Sequence, residues 1–361
     1  MIRWWAWVAL LGAPWVAAAV SDRTTVPTDP VEAFSDPVMS QRLVIFSATD
    51  IEAIAPVIAA FEARHPGIKV EYHDYQTNQL DRDLRSGKLK GDVVISSAMD
   101  LQTRLVNDGY AQALDIPEAQ VMPSWSHWRQ EIFGFSFEPV VVAYNRRAFA
   151  GRRLPTTHEA LANDLRVNQA QYQGRVGTYD IRLSGAGYLF ATQDAVVSSI
   201  SARLQEGLGR ASAKLYCCTN DMLDEVADGE IDLAYNLLGS YALARSRADH
   251  RLGVLLPEDY TLVITRTAWV PLSAPNPELA TEFIRFLLSL AGQQQIADNS
   301  ELIPLHPDIQ GRLAVRNLKG QQELRFQPIG VGAALLVYQD RMKRERFLRE
   351  WQDAYQPGAA R

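Results

Sequence analysis

Unbroken apolar runs and stretches of helical period alternate along the first third of the chain. Leu43-Val44-Ile45-Phe46 is a continuous apolar run with β-branched members, the pattern of a strand buried on both faces of a parallel sheet. It gives way to Ser47-Ala48-Thr49-Asp50, and Thr49 to Glu52 has capping-box spacing. Ile51, Ile54, Ala55, Val57, Ile58 and Phe61 then recur on one helical face, and Pro66-Gly67 ends the helix. Residues 68–72 alternate as a second strand, and Leu80 to Leu89 reads as a polar, basic helix. Asp92 to Ser97 is a third strand, followed by a helix through Leu101, Leu105 and Val106. This βαβαβ order predicts right-handed crossovers and a parallel sheet.

A second α/β set follows. Phe135 to Asn145 and Tyr260 to Val270 are long apolar β candidates, long enough to carry the chain from one lobe to another and back. Between them lie a helix opening at His158, a strand at 175–179, a helix opened by Ser184-Gly185-Ala186-Gly187-Tyr188, a strand at 214–218, a helix capped by Thr219 or Asn220, and a strand at 231–236. Amphipathic helices are expected around 279–290 and 330–351.

The chain has 361 residues, which at about 150 residues per domain favours two lobes. Hydrophobic residues make up 47%, enough for real cores, so wholesale disorder is excluded. A formal charge of −6 argues against a general nucleic-acid binder. Met1-Ile2-Arg3, the apolar run Trp4 to Val16 and Ala17-Ala18-Ala19 have the form of a cleavable secretory signal. That run is shorter than the roughly 20 residues a spanning helix needs. No cysteine sits near the cleavage point and no later stretch is apolar enough to span, so the expectation is an exported protein free in the periplasm. An uncleaved anchor is the alternative. Residues 20–41 read as a flexible lead.

Only two cysteines are present, and they are neighbours, Cys217-Cys218. Adjacent Cα atoms lie about 3.8 Å apart, below the usual disulfide range of about 4.4–6.8 Å. They read as two small buried thiols, with a strained vicinal bridge as the alternative.

Enzyme signatures fail: there is no Gly-x-Ser-x-Gly elbow, no His-Glu-x-x-His and no phosphate-binding P-loop. The six histidines are scattered without metal-ligand spacing. What recurs is a strand ending in small hydroxyl or amide residues just before a helix. It happens at Ser47 and Thr49, at Ser96 and Ser97, at Ser184, Gly185 and Gly187, and at Tyr235-Asn236 followed by Ser240 and Tyr241. Carboxyl ends of strands line the crevice of open α/β sheets, and helix N-termini suit anions. Ordinary capping is the competing explanation for any one of these loops. Arg182 is a candidate carboxylate or phosphate clamp, against a salt bridge to Asp180. Tyr188 and Tyr241 are candidates for stacking on or hydrogen-bonding a ligand. Arg341 to Arg346 is read as a solvated basic helix face, with partner docking as the alternative.

LVIFSATDIEAIAPVIAAFEARHPGIKVEY and GDVVISSAMDLQTRLVNDGYAQ resemble the opening lobe of periplasmic solute-binding proteins of ABC importers. FEPVVVAYN and LPTTHEAL resemble that family's first crossover and the helix after it. GEIDLAYNLLGSYA and WVPLSAPNPELATEFIRFLLS resemble its second-lobe site loop and the return. The likeness covers roughly residues 42–310 and is closest to the branch holding ferric-iron binders and phosphoglycerate-system sensors. FQPIGVGAALLVYQDRMKRERFLREW resembles an extension of the sensor-linked members.

The resemblance implies an α/β, type 2, two-lobed binding protein with two interlobe crossing strands. Lobe 1 is expected at 42–143 plus 266–361 and lobe 2 at 144–265, after a signal peptide at 1–19. Ferric binders of the family use adjacent tyrosines where this chain reads Tyr235-Asn236-Leu237-Leu238. The expected ligand is therefore a small anionic solute: an organic carboxylate, a phosphate ester or a metal–anion chelate. The implied ligand-binding residues are Ser47, Thr49, Ser96, Ser97, Arg182, Ser184, Gly185, Gly187, Tyr188, Tyr235, Asn236 and Ser240, with no catalytic residues, no bound metal and no cofactor. The implied partner is a membrane permease, the protein acting as a monomer without nucleic acid. The alternatives are a sensor signalling to a membrane histidine kinase and, from another class, an exported hydrolase.

Overall fold

The computed structural model describes residues 41–309 and 325–355, so the expected signal peptide and all but the last residue of the lead lie outside the described residues. The first lobe opens with β1 (Gln41–Ser47), α1 (Ile51–Arg64), β2 (Ile68–Asp74), α2 (Thr77–Arg85), β3 (Val93–Ser96) and α3 (Met99–Asn107). β1 runs parallel between β2 and β3, with Ile45 opposite Tyr72 on one side and Val93 on the other. The apolar stripe of α1 buries Ala53, Ile54, Val57, Ile58 and Phe61 as its periodicity requires. Its capping box does not form: Asp50 occupies the N-cap without a side-chain capping bond. The Thr49 hydroxyl is instead held by Arg266, and the Asp50 carboxylate accepts from Asn220 of the second lobe.

After β4 (His127–Trp128) and β5 (Ile132–Gly134) the chain crosses into the second lobe as β6 (Glu138–Asn145). There it forms α4 (His158–Val167), α5 (Gln169–Tyr172), β7 (Val176–Tyr179), α6 (Gly185–Val197), α7 (Ile200–Arg210), β8 (Lys214–Tyr216), α8 (Thr219–Asp228), β9 (Leu233–Leu238), α9 (Gly239–Ala248), β10 (Leu252–Leu255) and β11 (Thr261–Ile264). It returns as β12 (Thr267–Trp269), followed by α10 (Pro277–Leu288) and α11 (Leu290–Asn299). β13 (Phe326–Pro328) comes later. The first sheet has the order β2-β1-β3-β12-β5-β4, and the second β13-β11-β6-β9-β7-β8 with β10 on β6. Both are mixed rather than all parallel. β12 runs antiparallel to β3 and β5, and β6 antiparallel to β9 and β11, because each crossing strand enters from the opposite lobe. No described helix is long and apolar enough to cross a membrane.

Sheet membership changes between Gly134 and Glu138 and again between Ile264 and Thr267. The first change thus precedes the expected 143/144 boundary, since all of β6 belongs to the second sheet. The two crossings lie side by side. The Phe135 N–H donates to the Arg266 carbonyl at 3.0 Å, and the Arg266 N–H donates to Ser136 Oγ at 3.0 Å. The Ser136 N–H donates to Thr265 Oγ1 at 3.3 Å. Arg266 Nε donates to Glu138 Oε1 at 3.0 Å, with both side chains fully buried.

α10 and α11 pack against α1 in the first lobe, Phe61 meeting Phe283 and Phe286, but the tail from β13 on does not stay there as the 266–361 assignment expected. β13 pairs in parallel with β11, and the Ile329 N–H donates to the Val263 carbonyl at 2.8 Å. The Val331 N–H then reaches the Trp125 carbonyl of the first lobe at 2.7 Å. A 3₁₀ segment, Ala333–Gln339, places Gln339 to donate to the buried Asp100 of α3. The Tyr188 hydroxyl of the second lobe donates to the Tyr338 carbonyl at 2.6 Å. The final described helix, Arg341–Tyr355, buries Trp351, and its Ala354 backbone lies so close to Gly209 of α7 that a Cβ there would collide. The tail therefore touches lobe 2, lobe 1 and lobe 2 in turn.

Removing one partner of a buried ion pair strands the other charge and costs about 3–5 kcal/mol. Glu138→Ala is therefore expected to lower the urea-unfolding free energy by that amount, while Glu138→Gln, which still accepts a hydrogen bond, loses less; equal small losses would contradict a buried pair at the crossing. Burial raises Asp100 to about 6, only partly offset by bonds from the Leu101 backbone and Gln339. The folded protein then binds a proton that the unfolded chain has released, so stability falls as pH rises from about 4 to about 6. Asp100→Asn is expected to remove that slope in a pH series of denaturation curves.

Candidate functional site

The two lobes meet along a seam built from the carboxyl ends of strands and the first turns of the helices after them. The Asp50 N–H, entering α1, donates to the Tyr241 hydroxyl oxygen in α9 at 3.2 Å. Asn220, in the first turn of α8, donates to Asp50 Oδ2 at 3.0 Å. The Gly185 N–H at the start of α6 donates to Thr77 Oγ1 at the start of α2, 2.9 Å away, and Asn78 Nδ2 donates to the Leu183 carbonyl at 2.7 Å. Arg266, on the return crossing, reaches Thr49 Oγ1 at 2.8 Å through Nη1. The seam is closed by direct side-chain and backbone bonds from both lobes.

Six of the twelve residues singled out from the sequence lie on this seam or beside the crossings. Ser47 Oγ accepts from the Thr49 N–H at 3.0 Å, and Ser96 Oγ from the Ala98 N–H at 3.2 Å; both shape turns at strand ends. Ser97 is buried next to Ser96. The Ser96 carbonyl accepts from the Thr267 hydroxyl of the return strand at 3.2 Å. Thr49 holds Arg266. Gly185 lets Leu101 and Thr77 approach where any larger residue would be crowded. The Ser240 N–H donates to Glu138 Oε2 at 3.3 Å, while its buried hydroxyl has no partner among the described residues.

The other six serve a network inside the second lobe. Arg182 spreads Nε and Nη2 over Asp180, with Nε at 2.8 Å, and lies 5.6 Å from the Trp351 ring. Its fork is occupied by the neighbour weighed against ligand clamping. Ser184 caps α6 by accepting from the Gly187 N–H at 3.1 Å, and Gly187 gives Tyr179 room. Tyr188 turns to the tail, with the Arg344 guanidinium 4.3 Å from its ring. Tyr235 and Asn236 both donate to the buried Asp194, at 2.8 and 2.7 Å, and Tyr260 donates to the same carboxylate at 2.9 Å. Asn236 does so from a left-handed backbone, φ 64°.

Arg266 and Glu138 were missed as site residues. A signal for them was present: each is the single charged residue inside one of the two long apolar β runs, and a lone charge in a buried strand demands a partner. The Arg266 guanidinium lies 4.8 Å from the Tyr241 ring, and its Nη2 is buried without a partner among the described residues. Burial opposes its charge, but Tyr241, Glu138 and Asp50 together hold its pKa above the ordinary range. Burial raises Asp50, with Arg266 and Asn220 pulling the other way, and burial raises the neighbouring Asp74 to about 6. Tyr72 adds a hydroxyl that donates to the Thr49 carbonyl at 2.6 Å.

Cys217 and Cys218 are bridged to one another, with Cα atoms 3.8 Å apart, so the reading as two buried thiols is corrected. The bridge forms the corner between β8 and α8, where Cys218 rather than Thr219 or Asn220 is the N-cap residue. Thr219 is engaged with the Tyr179 hydroxyl and Asn220 with Asp50.

Residues 43–299 match the family model described as bacterial extracellular solute-binding protein. The chain is similar to the substrate-binding protein of an ABC transporter from Agrobacterium tumefaciens, at 33% identity and a TM-score of 0.82 over 88% of this chain and 95% of that one. Its fold is also similar to iron-bound HitA from Pseudomonas aeruginosa, at 19% identity and a TM-score of 0.68 over 87% of this chain and 99% of that one. For AfuA from Actinobacillus pleuropneumoniae, solved with fructose-6-phosphate, the values are 16% and 0.72 over 87% and 98%. No curated protein matches the chain. Solute-binding proteins of this kind bind small solutes and partner membrane permeases. On the match over residues 43–299, together with two α/β lobes joined by two crossings, the chain belongs to the bacterial extracellular solute-binding protein family, as a type 2 binding protein of the ABC-transporter kind.

Proposed function

We propose that the protein captures a small anionic solute at the lobe seam, with an oxyanion group accepting from Arg266 Nη2 and Ser240 Oγ, and delivers it to a membrane permease in the periplasm. One observation carries this reading. Two donors on either side of Glu138, Arg266 Nη2 and Ser240 Oγ, are buried at the seam without partners. An unsatisfied buried polar group costs about 1–3 kcal/mol, more when charged, and such groups are rare in native structures. A solute oxygen reaching both would relieve that cost.

Thr49, Tyr72 and Tyr241 surround the pair with further hydroxyls and an aromatic face, a mixture suited to an organic anion with polar substituents. Iron and fructose-6-phosphate are the ligands named for HitA and AfuA, which keeps phosphate esters and metal–anion chelates among the candidates beside carboxylates. Because Arg266 also holds Thr49 of the first lobe while Ser240 lies in the second, a solute held by this pair favours the closed state by its extra contacts there. The protein acts as a monomer in this reading.

The reading is checked by thermal shift and calorimetry against dicarboxylates, sugar phosphates and ferric citrate. A binder raises the melting temperature because it binds only the native form. Arg266→Gln and Ser240→Ala are each expected to weaken a hit by about tenfold or more, the scale of a hydrogen bond to a charged group. Arg182→Ala is expected to leave affinity nearly unchanged, its fork being on Asp180. Loss of binding in Arg182→Ala with no effect of Arg266→Gln would move the anion to the α6 loop and defeat the assignment.

A further inference from the structure

The geometry points to a second site: we propose that Cys217, Cys218 and Asp221 form a redox-gated site for one thiophilic divalent cation, of the Zn²⁺ or Cd²⁺ class, at the edge of the lobe seam. The ligand atoms of these three residues all lie within 4.8 Å of one another. Cys217 Sγ is 3.5 Å from Asp221 Oδ2. Cys217 and Cys218 are partly exposed residues and Asp221 is exposed, so solvent, a reductant and an ion all have access. Gln76, from the first lobe, lies across the seam with Nε2 at 3.6 Å and Oε1 at 3.8 Å from Cys218 Sγ. A small rotation of that amide would bring its carbonyl oxygen to the ion as a further ligand.

The gate follows from sulfur chemistry. While Cys217 and Cys218 are bridged, neither sulfur is a thiolate, and a disulfide is a poor ligand for such ions. A dithiol of the thioredoxin type opens the site. Its two sulfurs lose two electrons and close into its own disulfide, while the Cys217–Cys218 bond breaks and its two sulfurs gain the electrons and two protons. An arriving cation then displaces those protons from the thiols. Two thiolates and a carboxylate select a borderline-soft ion over Mg²⁺ or Ca²⁺. A cation held there would sit one residue from the Asn220–Asp50 bond, with Gln76 opposite, so that both lobes border it. This site is separate from the Arg266–Ser240 pair and stands independently of what binds there.

Cadmium titration of the purified protein tests it, followed by the thiolate-to-cadmium charge-transfer absorption. The protein is reduced with a phosphine, so that no competing thiol remains, and kept anaerobic. The reduced protein is expected to take up one Cd²⁺ per chain with thiolate absorption, and the oxidised protein to show none. Cys217→Ser and Cys218→Ser should each abolish the one-to-one signal, and Asp221→Asn should weaken binding by about tenfold or more. If a serine variant fails to fold, the comparison of reduced and oxidised wild type still decides. No absorption in the reduced protein, or one Cd²⁺ shared between two chains, would overturn the site. Wild-type affinity in Asp221→Asn would overturn the three-residue ligand set.

Discussion

A fully buried ion pair between the two crossing segments is the constraint around which the molecule is arranged. Glu138 opens β6 on the way into the second lobe, and Arg266 precedes β12 on the way back. Neither charge is tolerable alone in an apolar interior. Both crossings must therefore pass at one depth and in one register, and the backbone bonds among Phe135, Ser136, Thr265 and Arg266 record that register. The same pair reaches outward to both lobes. Arg266 holds Thr49 at the entrance to α1, and Glu138 holds the Ser240 backbone in the first turn of α9. The hinge and the candidate solute site are thus one polar cluster, and a change to one is felt in the other.

A second buried carboxylate organises the far lobe. Asp194 accepts from Tyr235, Asn236 and Tyr260, three donors that together satisfy it. Next to this network the tail packs Trp351 and Tyr355 among residues of α6 and α7. The tail also crosses to the first lobe at Trp125 and Asp100. Any separation of the lobes has to rearrange those contacts as well as the seam, so the tail takes part in the energetics of opening in addition to the two crossings.

The alternation of apolar runs and helical stripes identified most of the α/β elements, because burial in a layered fold imposes periods of two and 3.6 that survive in the sequence. The stripe of α1, the β1–β3 set and the strand-ending loops were legible on that ground. Helix starts were less so. The Thr49–Glu52 spacing suggested a local cap, yet both Thr49 and Asp50 are engaged by residues more than 150 positions away. The long run from Tyr260 reads as one strand, but it breaks between β11 and β12 where the chain changes sheets, and the run from Phe135 joins its sheet only at Glu138. The antiparallel returns are also invisible locally, since a strand's apolar run carries no mark of its direction.

What the sequence determined by itself was the layered architecture, the presence of two crossings, and the kind of residue that ends each strand. All of these follow from local patterning and from the need to bury continuous apolar runs. The tertiary structure alone decided which hydroxyls lie on the seam, that Tyr188, Tyr235 and Asn236 serve the second lobe and the tail packed on it, and that Arg182 is spent on Asp180. It also decided that Cys217 joins Cys218 at the seam. The physical reason is that a polar side chain's role is set by whichever complementary group lies within about 3 Å, and that neighbour comes from elsewhere in the chain.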